Sequence, residues 1–164
     1  VGLKGLRIRT TKMILALDLG TNTGWASMKD GEVKSGVEVF KNTRFSGGGM
    51  RFLKFERWLD GLVEAPTQIV FEEVRKHRGT DAAHVYGGLL GILTKWCEAR
   101  SVPYCGVPVG TIKKFWTGKG NAGKDQMIKV AKQRGFEPKD DNEADALAIL
   151  HYWTEDGILA ELCK

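Results

Sequence analysis

Cysteine is scarce in this chain of 164 residues, and Cys97, Cys105 and Cys163 are its only three. None forms a Cys-x-x-Cys pair, and no histidine stands at a spacing that completes a tetrahedral set, which argues against a structural zinc site. An odd number without framework spacing predicts reduced thiols in a cytosolic protein. Long apolar runs are also missing. No window approaches the roughly 18–20 apolar residues that a membrane span needs, so no membrane partner is expected. Val1 to Lys12 holds four basic residues and no acid. It lacks the apolar stretch and small-residue cleavage pattern of a signal peptide, and it reads as a leader or frayed arm. The remainder, 13–164, is of a length for one well-buried domain. With 42% hydrophobic and 27% charged residues, disorder is not expected.

Acid is nearly absent from one segment. Thr111 to Lys139 carries Lys113, Lys114, Lys119, Lys124, Lys129, Lys132, Arg134 and Lys139 against only Asp125 and Glu137. The whole chain is +5, so the positive charge is concentrated there on an otherwise near-neutral body. Such a concentration suggests a surface facing a polyanion; the plainer explanation is a solvated helix face.

What the chain does have is a short apolar run ending in an acid. Met13 to Ala26 reads MILALDLGTNTGWA, a strand buried on both faces that delivers Asp18 to its carboxyl end and passes into a Gly/Thr/Asn turn. In open α/β sheets that end is where reacting groups collect. Asp18 alone is equally well explained as a turn cap. Thr23 to Met28 and Val33 to Phe40 follow as strands joined through Asp30-Gly31, a hairpin signal. Lys41 to Gly49 is a polar loop with three glycines, and Met50 to Val63 has a helical apolar period best read as core packing.

Gln68 to Val74 (QIVFEEV) is the next buried strand. Alternation forbids Glu72 and Glu73 from facing the same side, and a strand parallel to the first and beside it brings Glu72 to the same end as Asp18. A buried carboxylate needs a cation or donor to offset its desolvation, and a metal provides one. Arg75, Lys76 and Arg78 in the following loop are within reach of a phosphate backbone, while His77 reads as a solvated loop residue. Ala82 to Ala99 is a helix with Gly87, Gly88 and Gly91, which implies close packing of a neighbour or a dimer seam. Pro103 to Val107 is a fifth strand. A helix opens at Thr111, another runs from Lys124 to Arg134, and a last one follows Asp140-Asp141-Asn142-Glu143-Ala144-Asp145. Asp145 lies within the apolar run and shares a helix face with Asp141 and Asn142.

Together LALDLGTNTGWA, IVFEEV, KKFWTGKGNAGKDQM and DNEADALAIL resemble the RuvC-type Holliday junction resolvases, in particular those of bacteriophages, over Met13 to about Trp153. The resemblance implies an α/β, RNase H-like fold: a five-stranded mixed sheet, three strands antiparallel plus two parallel, with helices on both faces. It implies a homodimer that cuts branched DNA with Mg²⁺ or Mn²⁺, two ions per site, in the cytoplasm of a bacterial cell. Asp18, Glu72 and Asp145 match the family's metal-holding acids, and Lys113 and Lys124 its basic residues near the scissile phosphate, with Lys119 and Lys114 nearby. The family's other acid falls on Asn142, so either Asn142 supplies a neutral oxygen or Asp141 takes over. An aromatic residue common three places after the strand Glu is here Arg75. On this reading Asp18 bridges two ions about 4 Å apart while Glu72 and Asp145 hold one each, and Lys124 offsets charge on the phosphate. Competing readings are an RNase H-type ribonuclease, a non-catalytic junction-binding protein, and an actin-like ATPase or kinase suggested by Asp18-Leu19-Gly20-Thr21. The last lacks the second phosphate turn that such enzymes need.

Overall fold

A strand covered on both sides needs apolar residues at successive positions, and β1 (Met13–Asp18) has them. In the computed structural model, which describes residues 12–77 and 79–155, β1 is the central strand of a five-stranded sheet of order β3-β2-β1-β4-β5. The expected arm lies, apart from Lys12, outside the described residues, as does Cys163. β2 (Asn22–Lys29) and β3 (Glu32–Val39) form an antiparallel meander with β1. Their hairpin turns through Asp30 and Gly31 with φ of 51° and 82°, the left-handed pair that lets two strands follow their natural twist. β4 (Gln68–Glu73) and β5 (Tyr104–Pro108) continue the sheet in parallel on the other side. The mixed sheet, flanked by helices on both faces, agrees with the fold expected.

Alternation along β1 divides the apolar interior in two. Leu15 and Leu17 face α1 (Met50–Asp60) and α2 (Thr80–Arg100), packing with Phe55, Leu59, Leu89 and Leu93. Ile14 and Ala16 face α3 (Val109–Thr117), α4 (Lys124–Gln133) and α5 (Asp141–Glu155), packing with Ile112, Met127 and Leu147. Val70 of β4 belongs to this second interior, and Ile69 and Phe71 to the first. The pattern continues one step further at each strand end, and that step matters for the site.

The first turn of α5 rests almost directly on β2. A Cβ built on Gly24 would lie 1.9 Å from the backbone oxygen of Asn142 and 2.4 Å from its carbonyl carbon, so only glycine admits the helix there. The helix start is pinned by its own side chains. Asp140 accepts the backbone N–H of Glu143 at 3.0 Å, and Glu143 accepts the N–H of Lys139 at 2.9 Å and the Ser35 hydroxyl at 2.7 Å. Glu143, buried in the fold, is therefore a cap that also ties α5 to β3.

Two expectations need correction. Close packing explains one of the α2 glycines: a Cβ on Gly88 would meet the Phe52 ring at 2.3 Å, whereas Gly87 and Gly91 have nothing within 4 Å and lie on the exposed side of the helix. The cysteines are not all reduced either; Cys97 is free and buried, but Cys105 is disulfide-bonded. Spacing along the chain does not reveal which Cβ atoms folding brings within bridging distance. No described helix is long and apolar enough to cross a membrane.

Candidate active site

Asp18 sits one residue beyond Leu17, which pairs with Phe71 of β4. Glu72 is thus the next neighbour across the parallel pair, and both carboxylates follow residues, Ala16 and Val70, that face α5. Glu73 turns to the opposite side, where its carboxylate meets the Arg75 guanidinium at 3.5 Å. Asp145 comes from the second turn of α5, four residues after Asp141. Gly24 pairs with Asp18 in the sheet. The same close approach that seats α5 on Gly24 therefore lowers Asp145 toward Asp18.

The electrostatics report this convergence. Burial raises the Asp18 carboxyl well above its ordinary value, and the charges of Glu72 and Asp145, a hydrogen bond with Glu72 and the charge of Asp141 all add to the rise. Glu72 is raised by burial, while Lys113 and the hydrogen bond with Asp18 pull it down. Asp145 is raised to about 7, by burial first and then by Glu72, with Asp141 adding and Lys113 and Lys124 opposing. Burial and the neighbouring acids thus favour the protonated form of Asp18 hydrogen-bonded to Glu72. The buried Oδ1 of Asp145 has no hydrogen-bond partner.

Oxygen-only, mutually repelling and partly unsatisfied, this donor set suits a hard divalent cation such as Mg²⁺ or Mn²⁺ and not zinc or a soft metal. Among the described residues no three Asp, Glu, His or Cys side chains are gathered tightly enough to hold an ion as they stand. The raised carboxyls of Asp18 and Asp145 favour a proton where a cation would otherwise offset the charge. Exchange of that proton for an ion is the ordinary coupling of metal binding to ionisation.

Asp141 and Asn142 are distinguished by their contacts. Asp141 is one of the charges felt by both Asp18 and Asp145, and it forms an ion pair of 2.6 Å with Lys124. Asn142 turns its amide to Asp140 at 3.1 Å, and its backbone is the part pressed against Gly24. Lys113 projects from α3 to the Glu72 side, where Glu72, Arg75, Lys76, Val109 and Lys113 line an open cleft of about 580 Å³. Arg75 and Lys76 are exposed, as are Lys114 and Lys119, while Arg78 lies outside the described residues. His77 packs on the Tyr86 ring at 4.9 Å, and its Nε2 is buried without a partner, so it is not simply solvated.

Three positioning residues escape a reading of the sequence. Gly24 carries a signal, because a glycine inside a strand marks close backbone approach. Tyr86 carries none: its hydroxyl donates to the Glu72 carbonyl at 2.7 Å and accepts the Val74 N–H at 3.2 Å, fixing the end of β4 from α2. Arg51 donates to the Thr21 hydroxyl at 3.2 Å, bracing the turn after Asp18.

The chain is 28% identical over 154 residues to the crossover junction endodeoxyribonuclease RuvC of Wolbachia sp. subsp. Brugia malayi, an alignment covering 87% of this chain and 94% of that one. The chain is similar to RuvC along most of its length. It is 32% identical over 102 residues to the RuvC of Anaeromyxobacter sp. strain Fw109-5, a match covering 58% of this chain and half the length of that relative. In three dimensions it superposes on Thermus thermophilus RuvC in complex with Holliday junction substrate with a TM-score of 0.71 at 22% identity. The overlap covers 89% of this chain and 96% of the other. A second T. thermophilus RuvC structure gives 0.69 at 21% identity. No protein-family model matches the chain.

Proposed function

We propose that this chain is a structure-selective endodeoxyribonuclease that cleaves Holliday junctions and related branched DNA by hydrolysis of a phosphodiester. The observation that carries the reading is the convergence of Asp18, Glu72 and Asp145, from three distant parts of the chain, on one desolvated face beside Lys113 and Lys124. A site of this kind holds Mg²⁺ or Mn²⁺ through Asp18, Glu72 and Asp145, with Asp141 as the added acid. When bound, such a cation lowers the pKa of a coordinated water and neutralises charge on the phosphate.

The chain's own groups do the rest. Burial keeps bulk water from screening the carboxylates, so their pull on a cation and their repulsion of one another are both strong. Lys113, facing Glu72 and Asp145, supplies a fixed positive charge where negative charge grows on the phosphate as the bond breaks. Lys124 reaches the same side through Asp141. Lys76, Lys114 and Lys119 hold the DNA arms by phosphate contacts that weaken with salt. We infer that two copies act together, since a four-way junction offers two strands of like polarity. Gly87 and Gly91 leave the α2 backbone open to a second chain.

The test is cleavage of a fluorescently labelled four-way junction in Mg²⁺ and in Mn²⁺, with linear duplex and RNA–DNA hybrid as comparators. Preferential cutting of the junction is expected. Binding without cutting in either metal would replace the nuclease with a junction-binding protein, and preferential cutting of the hybrid would replace it with a ribonuclease.

A further inference from the structure

Residues 41–55, between the end of β3 and the middle of α1, contain Lys41, Arg44, Arg51 and Lys54 and no acid. β3 runs alongside β1 in the same direction, so this segment leaves the sheet at the end where Asp18 lies. Both of its ends are fastened to Thr21, in the turn that follows Asp18. The Phe40 N–H donates to the Thr21 carbonyl at 2.8 Å, and Arg51 donates to the Thr21 hydroxyl at 3.2 Å. It therefore lies at the same end of the sheet as the acids, on the β3 side and leading to α1 on the other face, whereas Lys113 approaches the acids from the β5 side.

The loop is built to hold a ring outward. The Ser46 N–H donates to the Thr43 carbonyl at 3.1 Å, closing a β-turn with Arg44 and Phe45 at its tip. The Ser46 hydroxyl fastens the turn again to Thr43, at 2.8 Å from its hydroxyl and 3.2 Å from its N–H. Asn42 donates to the Gly48 carbonyl at 3.3 Å and Lys54 to the Lys41 carbonyl at 3.4 Å. Phe45 is 86% exposed, with the Arg44 guanidinium 4.9 Å from its ring centre. A phenyl ring in water with a cation on one face and the other face open is poorly explained by packing. It matches a nucleobase, which stacks on a ring while nearby cations hold its phosphates.

We propose that the loop 41–49 and Arg51 form a second DNA-contacting surface at the same end of the sheet as the acids, on the β3 side away from Lys113. In it Phe45 stacks on an unpaired base at the branch point. This rests on the branched-DNA reading above. It gives the branch, and not only the duplex arms, its own contact.

The test compares the wild type with Phe45→Ala, Phe45→Tyr and Arg44→Ala on a four-way junction carrying 2-aminopurine at the branch and on a linear duplex of the same sequence. Val63→Ala, fully exposed at the far end of the sheet, is the control for loss of a surface hydrophobe. Phe45→Ala should weaken junction binding by about 5- to 150-fold, the range for losing one base–aromatic stack, with little change on linear duplex. It should also abolish the rise in 2-aminopurine emission that accompanies binding of the wild type. Phe45→Tyr should restore both, and Arg44→Ala should lower the salt dependence by about one phosphate contact. If the wild type binds junctions and Phe45→Ala binds and reports as it does, the stacking inference is overturned while the nuclease reading stands. An equal loss on linear duplex also overturns it. If the wild type neither binds nor cuts any branched DNA, both fall.

Discussion

Gly24→Ala is the sharpest perturbation that the fold offers. The added methyl would stand 1.9 Å from the Asn142 oxygen, and separations below 3.0 Å are essentially never tolerated, so α5 must retreat by about 1.1 Å. The atoms in the way are backbone held by the Asp140, Glu143, Lys139 and Ser35 bonds, and no rotamer change relieves them. Overpacking of this kind costs about 3 kcal/mol, the upper part of the usual range. At roughly 2–4 °C per kcal/mol for a chain of this size, the unfolding midpoint should fall by about 6–12 °C. The same retreat carries Asp145 away from Asp18, and a displacement near 1 Å at reacting groups costs about 100-fold in rate. Gly36→Ala is the comparator, since its methyl would meet only the Trp25 ring at 2.9 Å, a side chain able to turn. Thermal unfolding followed by junction cleavage at a temperature where both variants are folded reads the two effects. Should Gly24→Ala keep wild-type stability and cutting rate, or Gly36→Ala lose as much activity, the seat of α5 on β2 does not set the site.

Asp18→Asn and Glu72→Gln should reduce junction cleavage by at least about 1,000-fold with junction affinity largely kept, and Asp18→Asn should stabilise the metal-free protein by removing a buried, repelled acid; cutting at the wild-type rate by either variant refutes the assignment. Asp141→Asn should slow cleavage far more than Asn142→Ala, because only Asp141 faces the acids and Lys124; the reverse order would restore Asn142 as the ligand. For pH, Asp145 is near 3.8 when unfolded and about 7 when folded. Between those values the folded chain keeps a proton that the unfolded chain has released, so its contribution to stability falls as pH rises, by up to about 1.4 kcal/mol per unit, and levels off above 7. Without divalent ions, the melting temperature of the wild type relative to Asp145→Asn should drop across that window, and Mg²⁺ or Mn²⁺ should raise the wild type more at pH 8 than at pH 5; a rising difference in chelator sinks this account. Gly87→Leu, whose Cβ would meet nothing within 4 Å among the described residues, should leave the monomer fold intact and weaken self-association measured by analytical ultracentrifugation.

Much of this arrangement is readable from period and punctuation. The apolar runs of β1 and β4 with their terminal acids declare two buried strands, and alternation alone separates Glu72 from Glu73. The Asp-Gly pair declares the hairpin. The choice between Asp141 and Asn142 is different, because three- and four-residue spacing both lie on one helix face and the rotation of α5 depends on its contact with Gly24. Gly87 and Gly91 mislead for a related reason: a glycine shows that close approach is allowed, not that it occurs within the chain. The basic segment from Lys41 to Lys54 is hidden by dilution, four cations spread over a glycine-rich loop and the start of α1 being less conspicuous than eight farther on. Tyr86 is hidden because a hydroxyl that grips the backbone at the end of the preceding strand leaves no trace in spacing.

That grip has a mechanical result. With one oxygen bound on either side of Glu73, the tail of β4 cannot travel independently of the long helix behind it. A push along α2, from whatever leans on its bare glycine side, is passed through a phenol to the backbone of Glu72. The acidic centre and the outer surface of the molecule are in this sense geared together, and Tyr86→Phe is the change that would disengage them.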